Sequence, residues 1–317
     1  MQLLLLHLDD ALELQPGFVR ACVAAGASQH VDKDAGRDVR LWSKQPQLSE
    51  LARSLSKNGC ALNGQPRLCF MGSGDFHHVT ALLLDAALEK HPTPTTLIHF
   101  DNHPDWVTFH GGLHCGSWVN SALENRNIDK VITIGVCSDD LRNPERKGAN
   151  LKWLAQGRLE LYPYSHPPSL VSSDYGSGPS FRQEAGALHW RSICGIGEAN
   201  FFEEILGRIQ TPSVYISIDK DVLAADDAVT NWDQGGMRLP YLLSLISEVG
   251  RRHRIIGADV IGDYSAPAYS GMPWTQIAKR VESLIDQPRL RQDKSAIEDV
   301  NSAANYALLD ILAEHMQ

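Results

Sequence analysis

What the chain lacks narrows its reading first. None of its six cysteines, Cys22, Cys60, Cys69, Cys115, Cys137 and Cys194, forms a C-x-x-C pair. Zinc–thiolate sites and a disulfide framework are therefore disfavoured, and thiols in apolar runs such as Leu68-Cys69-Phe70 read as buried and free in a reducing cytosol. There is no long run of Lys or Arg, and the formal net charge is -9. An acidic surface repels phosphate backbones, so no nucleic-acid partner is expected. The opening apolar run, Leu3 to Leu6, follows no basic segment and is cut short by His7, Asp9 and Asp10. It is too brief for a signal peptide or a membrane span and reads as a first β-strand, so the expectation is a cytoplasmic protein with no membrane partner. No internal repeat or linker composition divides the chain, and residues 1–317 are read as a single domain.

What is present is an ordinary soluble composition, 43% hydrophobic and 21% charged, long enough at 317 residues for a sizeable core. Short continuous apolar runs rich in Ile, Val and Leu occur at Arg67 to Gly72, Thr96 to Phe100, Lys130 to Gly135, Ser213 to Ile218 and Arg254 to Val260. Such runs suit strands buried on both faces of a parallel sheet. Segments with apolar residues at three- and four-residue spacing lie between them: Val79 to Lys90, Ser117 to Asn125, Asn200 to Ile209, Pro240 to Arg251 and Trp274 to Ile285, with Asp293 to Met316 as one long final helix. The alternation predicts an α/β fold, a three-layer α/β/α arrangement around a mostly parallel central sheet. Ser165 to Arg182, rich in Ser, Pro and Gly, has no periodicity and reads as a surface loop, with a lid near the active site as the functional alternative.

Three clusters of metal-ligand residues follow strand-like segments. They are Gly72-Ser73-Gly74-Asp75-Phe76-His77-His78, Asp101-Asn102-His103-Pro104-Asp105 and Ser217-Ile218-Asp219-Lys220-Asp221. In open α/β sheets, ligands gather beyond the carboxyl ends of strands. Residues two apart on an extended end project to one side, so Asp101, His103 and Asp105 can converge, as can Asp219 and Asp221. Four carboxylates cannot share a small buried volume unless cations neutralise them. Carboxylates with two imidazoles and no thiolate favour a hard or borderline ion such as Mn²⁺, with Ni²⁺, Fe²⁺ or Zn²⁺ left open. A lone Asp-x-Asp is usually a cap or a solvated loop, and a lone His pair is usually surface or core. Three clusters in this order, each after an apolar strand, are hard to explain that way.

The clusters resemble those of the ureohydrolase family, which includes arginase, agmatinase and formimidoylglutamase and carries Gly-Gly-Asp-His, Asp-Ala-His-x-Asp and Ser-x-Asp-x-Asp pieces. The resemblance runs from about Phe70 to about Pro267, close in the two Asp clusters and degenerate in the first. It implies an arginase-like fold in which His78, Asp101, His103, Asp105, Asp219 and Asp221 bind two Mn²⁺ ions. His78 is preferred to His77 for its spacing before Asp101 and because Val79-Thr80-Ala81 then starts the expected helix, which leaves His77 at the family's Asp position. Gly111-Gly112-Leu113-His114 resembles the segment carrying the family's histidine proton shuttle, so His114 is assigned to catalysis together with Asp105, which orients the nucleophile.

Two departures bear on the substrate. Val229-Thr230-Asn231-Trp232 stands where the family has a Gly-Thr-Gly-Thr-like stretch, and Gly262 follows Ala258-Asp259-Val260-Ile261 where the family has a substrate-binding Glu, with Asp263 as the neighbour that could stand in. The resemblance implies metal-assisted hydrolysis of a C–N bond in a guanidino, amidino or formimino small molecule, and Gly262 disfavours plain arginine. A single-zinc amide deacetylase of the same fold, suggested by the tandem His77-His78, and a metal-binding pseudoenzyme are the alternatives. By analogy with the family a homo-oligomer is expected. Trp106, Phe109, Trp118 and Trp232 lie near the motifs as pocket wall or core.

Overall fold

The structure, a computed structural model, describes residues 1–57, 65–288 and 294–316. Cys60 and Asp293 lie outside the described residues. The central sheet has eight strands in the order Ser28–Val31, Gln2–His7, Arg67–Phe70, Arg254–Ile261, Ser213–Asp219, Thr95–Phe100, Ile128–Ile134 and Leu159–Tyr162. Every neighbouring pair in it is parallel. The opening apolar run is thus a strand, as its composition suggests.

Alternate residues of the inner strands feed two separate cores. Leu4 and Leu6 pack on one face and Leu5 on the other, and Leu97 and Ile98, Val131 and Ile132 divide in the same way. The period of two in a strand makes this division, and a sheet apolar on both sides must be covered on both. The helices Thr80–Lys90 and Trp118–Glu124 cover the first face. Pro16–Ala24, Glu198–Arg208, Leu239–Arg252 and the final helix Lys294–His315 cover the second. This is the three-layer α/β/α fold expected from the alternation.

The Ser165 to Arg182 segment differs from the loop reading. It carries the short strands Ser169–Leu170 and Ser177–Gly178, which with Phe181–Glu184 and Ala187–Trp190 make a four-stranded antiparallel sheet. Its hairpin turns at Ala185 and Gly186, both at positive φ, which matches the twist of the flanking strands. The Glu145 carboxylate pins the segment by accepting from Ser172 N, Ser173 N and Tyr175 Oη. Strands this short carry too few residues to show alternation.

Beneath the carboxyl ends of the strands lies a buried ionic network. Arg40, 1% exposed, donates from Nε to Asp75 Oδ2 at 2.6 Å and from Nη2 to Ser265 Oγ at 2.9 Å, with Asp9 Oδ2 3.4 Å from Nη1. Ser265 Oγ donates in turn to Asp9. Burial pushes the Asp9 carboxyl from 3.8 up to about 6 against the pull of Arg40. The folded chain therefore holds this proton more tightly than the unfolded chain, so the stability it contributes is present below the ordinary value and lost as pH rises through about 6. Urea unfolding midpoints should fall across this window in the native chain, and Asp9→Asn should flatten the dependence; parallel pH profiles for the two proteins would contradict this account of Asp9.

Candidate metal centre

Strand register assembles the site. His99 pairs with Ser217, and Ser217 with Asp259, across three adjacent strands. Two residues further on, Asp101 and Asp219 leave neighbouring strand ends side by side. Asp221 follows in a 3₁₀ turn, Lys220–Val222, whose backbone N–H at Asp221 is capped by Asp219 Oδ1. Asp105 sits at φ 48°, a left-handed conformation that Asp tolerates, and this turns its carboxylate back toward Asp101. Trp118 Nε1 fixes it there by donating to Asp105 Oδ2 at 2.7 Å.

Two clusters result, sharing Asp101. In the inner one His77 Nδ1 lies 3.0 Å from Asp101 Oδ2, 3.1 Å from Asp105 Oδ2 and 3.6 Å from Asp219 Oδ2, and His99 Nε2 lies 2.9 Å from Asp101 Oδ2. In the outer one His103 Nδ1 lies 2.9 Å from Asp221 Oδ2 and 3.5 Å from Asp101 Oδ1. The two oxygens of Asp101 thus face different clusters. Ligand atoms of His77, His99, Asp101 and Asp105 fall within 4.8 Å of one another, as do those of Asp101, His103 and Asp221.

The outward nitrogens of all three imidazoles are also held. His77 Nε2 donates to Ser217 Oγ at 2.9 Å, and that hydroxyl passes its own proton to Asp259 Oδ1 at 2.8 Å. His99 Nδ1 meets Thr133 Oγ1 at 3.1 Å, and His103 Nε2 meets Asp233 Oδ1 at 2.9 Å. Metal-binding histidines are characteristically fixed this way by a partner on the far nitrogen.

The electrostatics are those of anions crowded in a dry place. Burial, followed by the neighbouring Asp101 charge, pushes up the carboxyls of Asp105 and Asp221, and takes Asp219 to about 7. Burial opposes ionisation of Asp101 as well, but hydrogen bonds from His103, His77 and His99 outweigh it and hold its carboxyl well below the usual range. Burial disfavours charge on His77 and His103 too, yet their carboxylate partners hold both well above the ordinary imidazole value. Cys115 borders the same cavity, and burial keeps its thiol protonated, so it offers no thiolate ligand. Carboxylate and imidazole donors without thiolate fit a divalent cation.

The centre forms the floor of a cavity of about 570 Å³ whose walls include His114, Cys115, Trp232, Asp139, Asp140 and Asp286. Gly116 N donates to His114 Nδ1 at 2.8 Å, so the proton of a neutral ring sits on Nε2, which donates to Glu282 Oε1 at 2.6 Å. Glu282 comes from the helix Pro273–Asp286 and also accepts from Trp42 Nε1.

Of the residues expected from sequence, Asp101, His103, Asp105, Asp219 and Asp221 come together, with His114 on the cavity wall. His78 does not join them: His77 takes that place. The 3₁₀ turn Gly74–Val79 precedes the helix, so the chain winds one residue differently from the spacing used to choose His78. His78 is wholly buried away from these carboxylates, and burial pushes it down to about 3, which keeps it neutral.

Asp263 does not replace the missing Glu. It is an ion-pair partner of buried Lys220 and accepts from Asn305 Nδ2 at 3.0 Å. Gly262 itself stands at φ 100°, and a Cβ there would meet Asp219 Oδ1 at 2.3 Å and Lys220 N at 2.6 Å. The Ser165 to Arg182 segment does not line the cavity. Trp106 and Trp118 are core, Trp232 is cavity wall, and Phe109 stacks against Trp42 and His114.

His99, Asp233 and Glu282 were not foreseen. His99 could have been found, because it stands near the end of the strand, two residues before Asp101, and so faces the same side. Asp233 and Glu282 reach the site from distant segments and give no local signal.

The fold and site define an arginase-like α/β protein with a His/Asp cluster able to hold metal. The sequence model of the arginase family matches residues 22–156. An uncharacterized protein of Thermotoga maritima is 27% identical over 194 residues, which cover 61% of this chain and 57% of that protein. The chain thus spans a little over half the length of this curated relative. Proclavaminate amidino hydrolase from Streptomyces clavuligerus superposes with a TM-score of 0.58 at 17% identity over 99% of this chain and 92% of its own. Formimidoylglutamase from Bacillus subtilis gives 0.60 at 15% over 99% and 86%. Arginase from Bacillus caldovelox gives 0.55 at 14% over 90% and 97%. With the motifs above, the family-model match supports a divergent relative of the arginase family, and the superpositions show its fold.

Calorimetric titration should separate the two adjacent histidines. His77→Ala is expected to weaken Mn²⁺ binding by at least about 10- to 100-fold, and His78→Leu to leave it within about threefold. The reverse pattern would return the ligand role to His78.

Proposed function

We propose that this chain is a single-domain dinuclear metal hydrolase that cleaves a C–N bond of a guanidino, amidino or formimino small molecule other than plain arginine. The observation that carries the reading is the pair of His/Asp clusters sharing Asp101 on the floor of a cavity walled by His114. His77, His99, Asp101, Asp105 and Asp219 would hold one ion, and Asp101, His103 and Asp221 the other. Mn²⁺ is the family expectation, and Ni²⁺, Fe²⁺ and Zn²⁺ suit the same donors. When bound, such a pair supplies hydroxide near neutral pH and stabilises negative charge building on the substrate.

The protein's own groups then have distinct tasks. Asp105, anchored by Trp118, orients the nucleophile from the cavity floor. His114 stands on the cavity wall as the proton shuttle, taking a proton released from the nucleophile and returning it to the leaving nitrogen, while Glu282 and the Gly116 N–H hold its ring in register. Substrate selection follows from Gly262. No carboxylate can stand at that position without displacing Asp219, and Asp263 is committed to Lys220. The cavity also presents Trp232, Val107, Ile285 and Pro288, which favour a partly apolar substrate.

Among the described residues no helix is long and apolar enough to cross a membrane, and no disulfide joins the described cysteines. A cytoplasmic location is part of the same proposal. The family analogy extends to a homo-oligomer, which sedimentation would check.

The test is a screen of Mn²⁺-loaded protein for released urea, ammonia, formamide or acetate, repeated with Ni²⁺, Fe²⁺ and Zn²⁺. The panel holds arginine, agmatine, guanidino acids, formimino compounds, simple guanidines and acetylated amines, with Asp221→Ala as the inactive control. Turnover of a guanidino, amidino or formimino compound but not arginine is expected. A hit confined to acetylated amines would move the chain to the deacetylase reading. An Asp221→Ala protein with full activity and two bound ions would overturn the assignment. Restoring the family residue should not restore arginine hydrolysis: Gly262→Glu is expected to yield no urea from arginine and to lower stability by about 2 kcal/mol or more in urea unfolding.

A further inference from the structure

The two clusters are chemically unequal, and His99 makes them so. The outer one offers a single imidazole, His103, with the oxygens of Asp101 and Asp221. The inner one offers two imidazoles, His77 and His99, with Asp101 and Asp105. His99 lies within a buried strand with no exposed surface, and its ring is aligned at both ends. Nδ1 meets Thr133 Oγ1 at 3.1 Å, Nε2 points at Asp101 Oδ2 at 2.9 Å, and Trp118 packs edge-to-face on it at 5.2 Å. His99 Nε2 and His77 Nδ1 converge on the same oxygen of Asp101 from rings 5.1 Å apart. Two nitrogens among the carboxylate oxygens of Asp101, Asp105 and Asp219 make a donor set richer in nitrogen than the outer one, and such a set suits a borderline ion. Oxygen-rich sets suit harder ions such as Mn²⁺. The clusters differ in access as well, since the His103 side chain is 13% exposed and that of His99 0%.

We propose that His99 is a ligand of the inner ion and makes the centre asymmetric, with an inner position that selects Zn²⁺, Fe²⁺ or Ni²⁺ over Mn²⁺ and an outer position that discriminates less and exchanges faster. This rests on the dinuclear reading above but concerns one residue of it. Almost any nitrogen–oxygen site prefers Zn²⁺ to Mn²⁺ to some degree, so the telling quantity is the change in preference when His99 is removed.

The experiment uses the full chain, stripped by chelator and equilibrated with mixtures of Zn²⁺ and Mn²⁺. Ions per chain are counted by elemental analysis, and affinities are measured by calorimetry. The native chain is expected to take up Zn²⁺ at one position with a high Zn²⁺/Mn²⁺ ratio, and a weaker ion that a chelator removes first. His99→Val should lower the ratio at the tight position by about 10- to 100-fold while leaving the weaker ion in place. Thr133→Val, close in shape and removing only the hydroxyl that aligns His99, should lower it in the same direction by less. It keeps the inference testable if His99→Val does not fold. An unchanged ratio in folded His99→Val, or in Thr133→Val when the first variant fails to fold, would overturn the proposal. If one ion binds per chain and His99→Val abolishes it, the ligand assignment stands and the dinuclear reading falls. If no ion binds the native chain, both fall.

Discussion

Asp101, Asp105, Asp219 and Asp221 are each at most 5% exposed and share one small volume at the ends of two neighbouring strands. Carboxylates placed so close in a dry interior repel one another strongly, and nothing in an apolar core compensates them. The surrounding structure can be understood as the answer to that repulsion. Three imidazoles point inward at the carboxylates, and hydroxyl or carboxylate partners hold each imidazole from outside. Asp101, approached by all three histidines, is the one of these four acids whose carboxyl is held well below its ordinary range. Its neighbours are pushed the other way. That split around a shared acid is what a site prepared for added positive charge would show.

The support extends well below the ligands. Arg40 joins Asp9, Asp75 and Ser265, and Asp75 accepts from Trp232 and Gln287, both on the cavity wall. Asn231 accepts from Ser73 and Ser265, so the turn before His77 and the loop after Gly262 are tied together. The Val229 to Trp232 stretch, which departs from the family pattern, therefore has its own structural work here. The cavity wall and the ionic network beneath it form one connected set, and a change in either reaches the other through Asp75.

The sheet was legible because its strands are apolar on both faces, and such runs announce themselves without a partner. The two Asp clusters were legible because period-two geometry at a strand end makes each ligand pair a local matter. His99 obeys the same rule, yet an apolar strand draws attention away from one polar residue inside it. The exchange of His77 for His78 had a different origin: sequence spacing carries no sign of whether a turn is wound as 3₁₀ or α, and one residue of winding swings the ring to another face. Glu282 lies 168 residues from His114 in the chain, and only the folded path of the helix Pro273–Asp286 brings them together. The small antiparallel sheet after Ser165 was hidden for yet another reason, because strands of two to four residues are below the length at which alternation can be seen.

Gly262 has a consequence that reaches past chemistry. A glycine at a substrate position usually reads as a side chain lost, and so as a loss that a single reversion could repair. Here the backbone has turned to a φ of 100°, and the vacated direction is filled by Asp219 and the Lys220 backbone. Any carboxylate at this place would require the strand end, the acid beside it and the Lys220–Asp263 pair to move in concert. A change in what the cavity accepts is therefore open to single substitutions along its walls and closed to one at position 262.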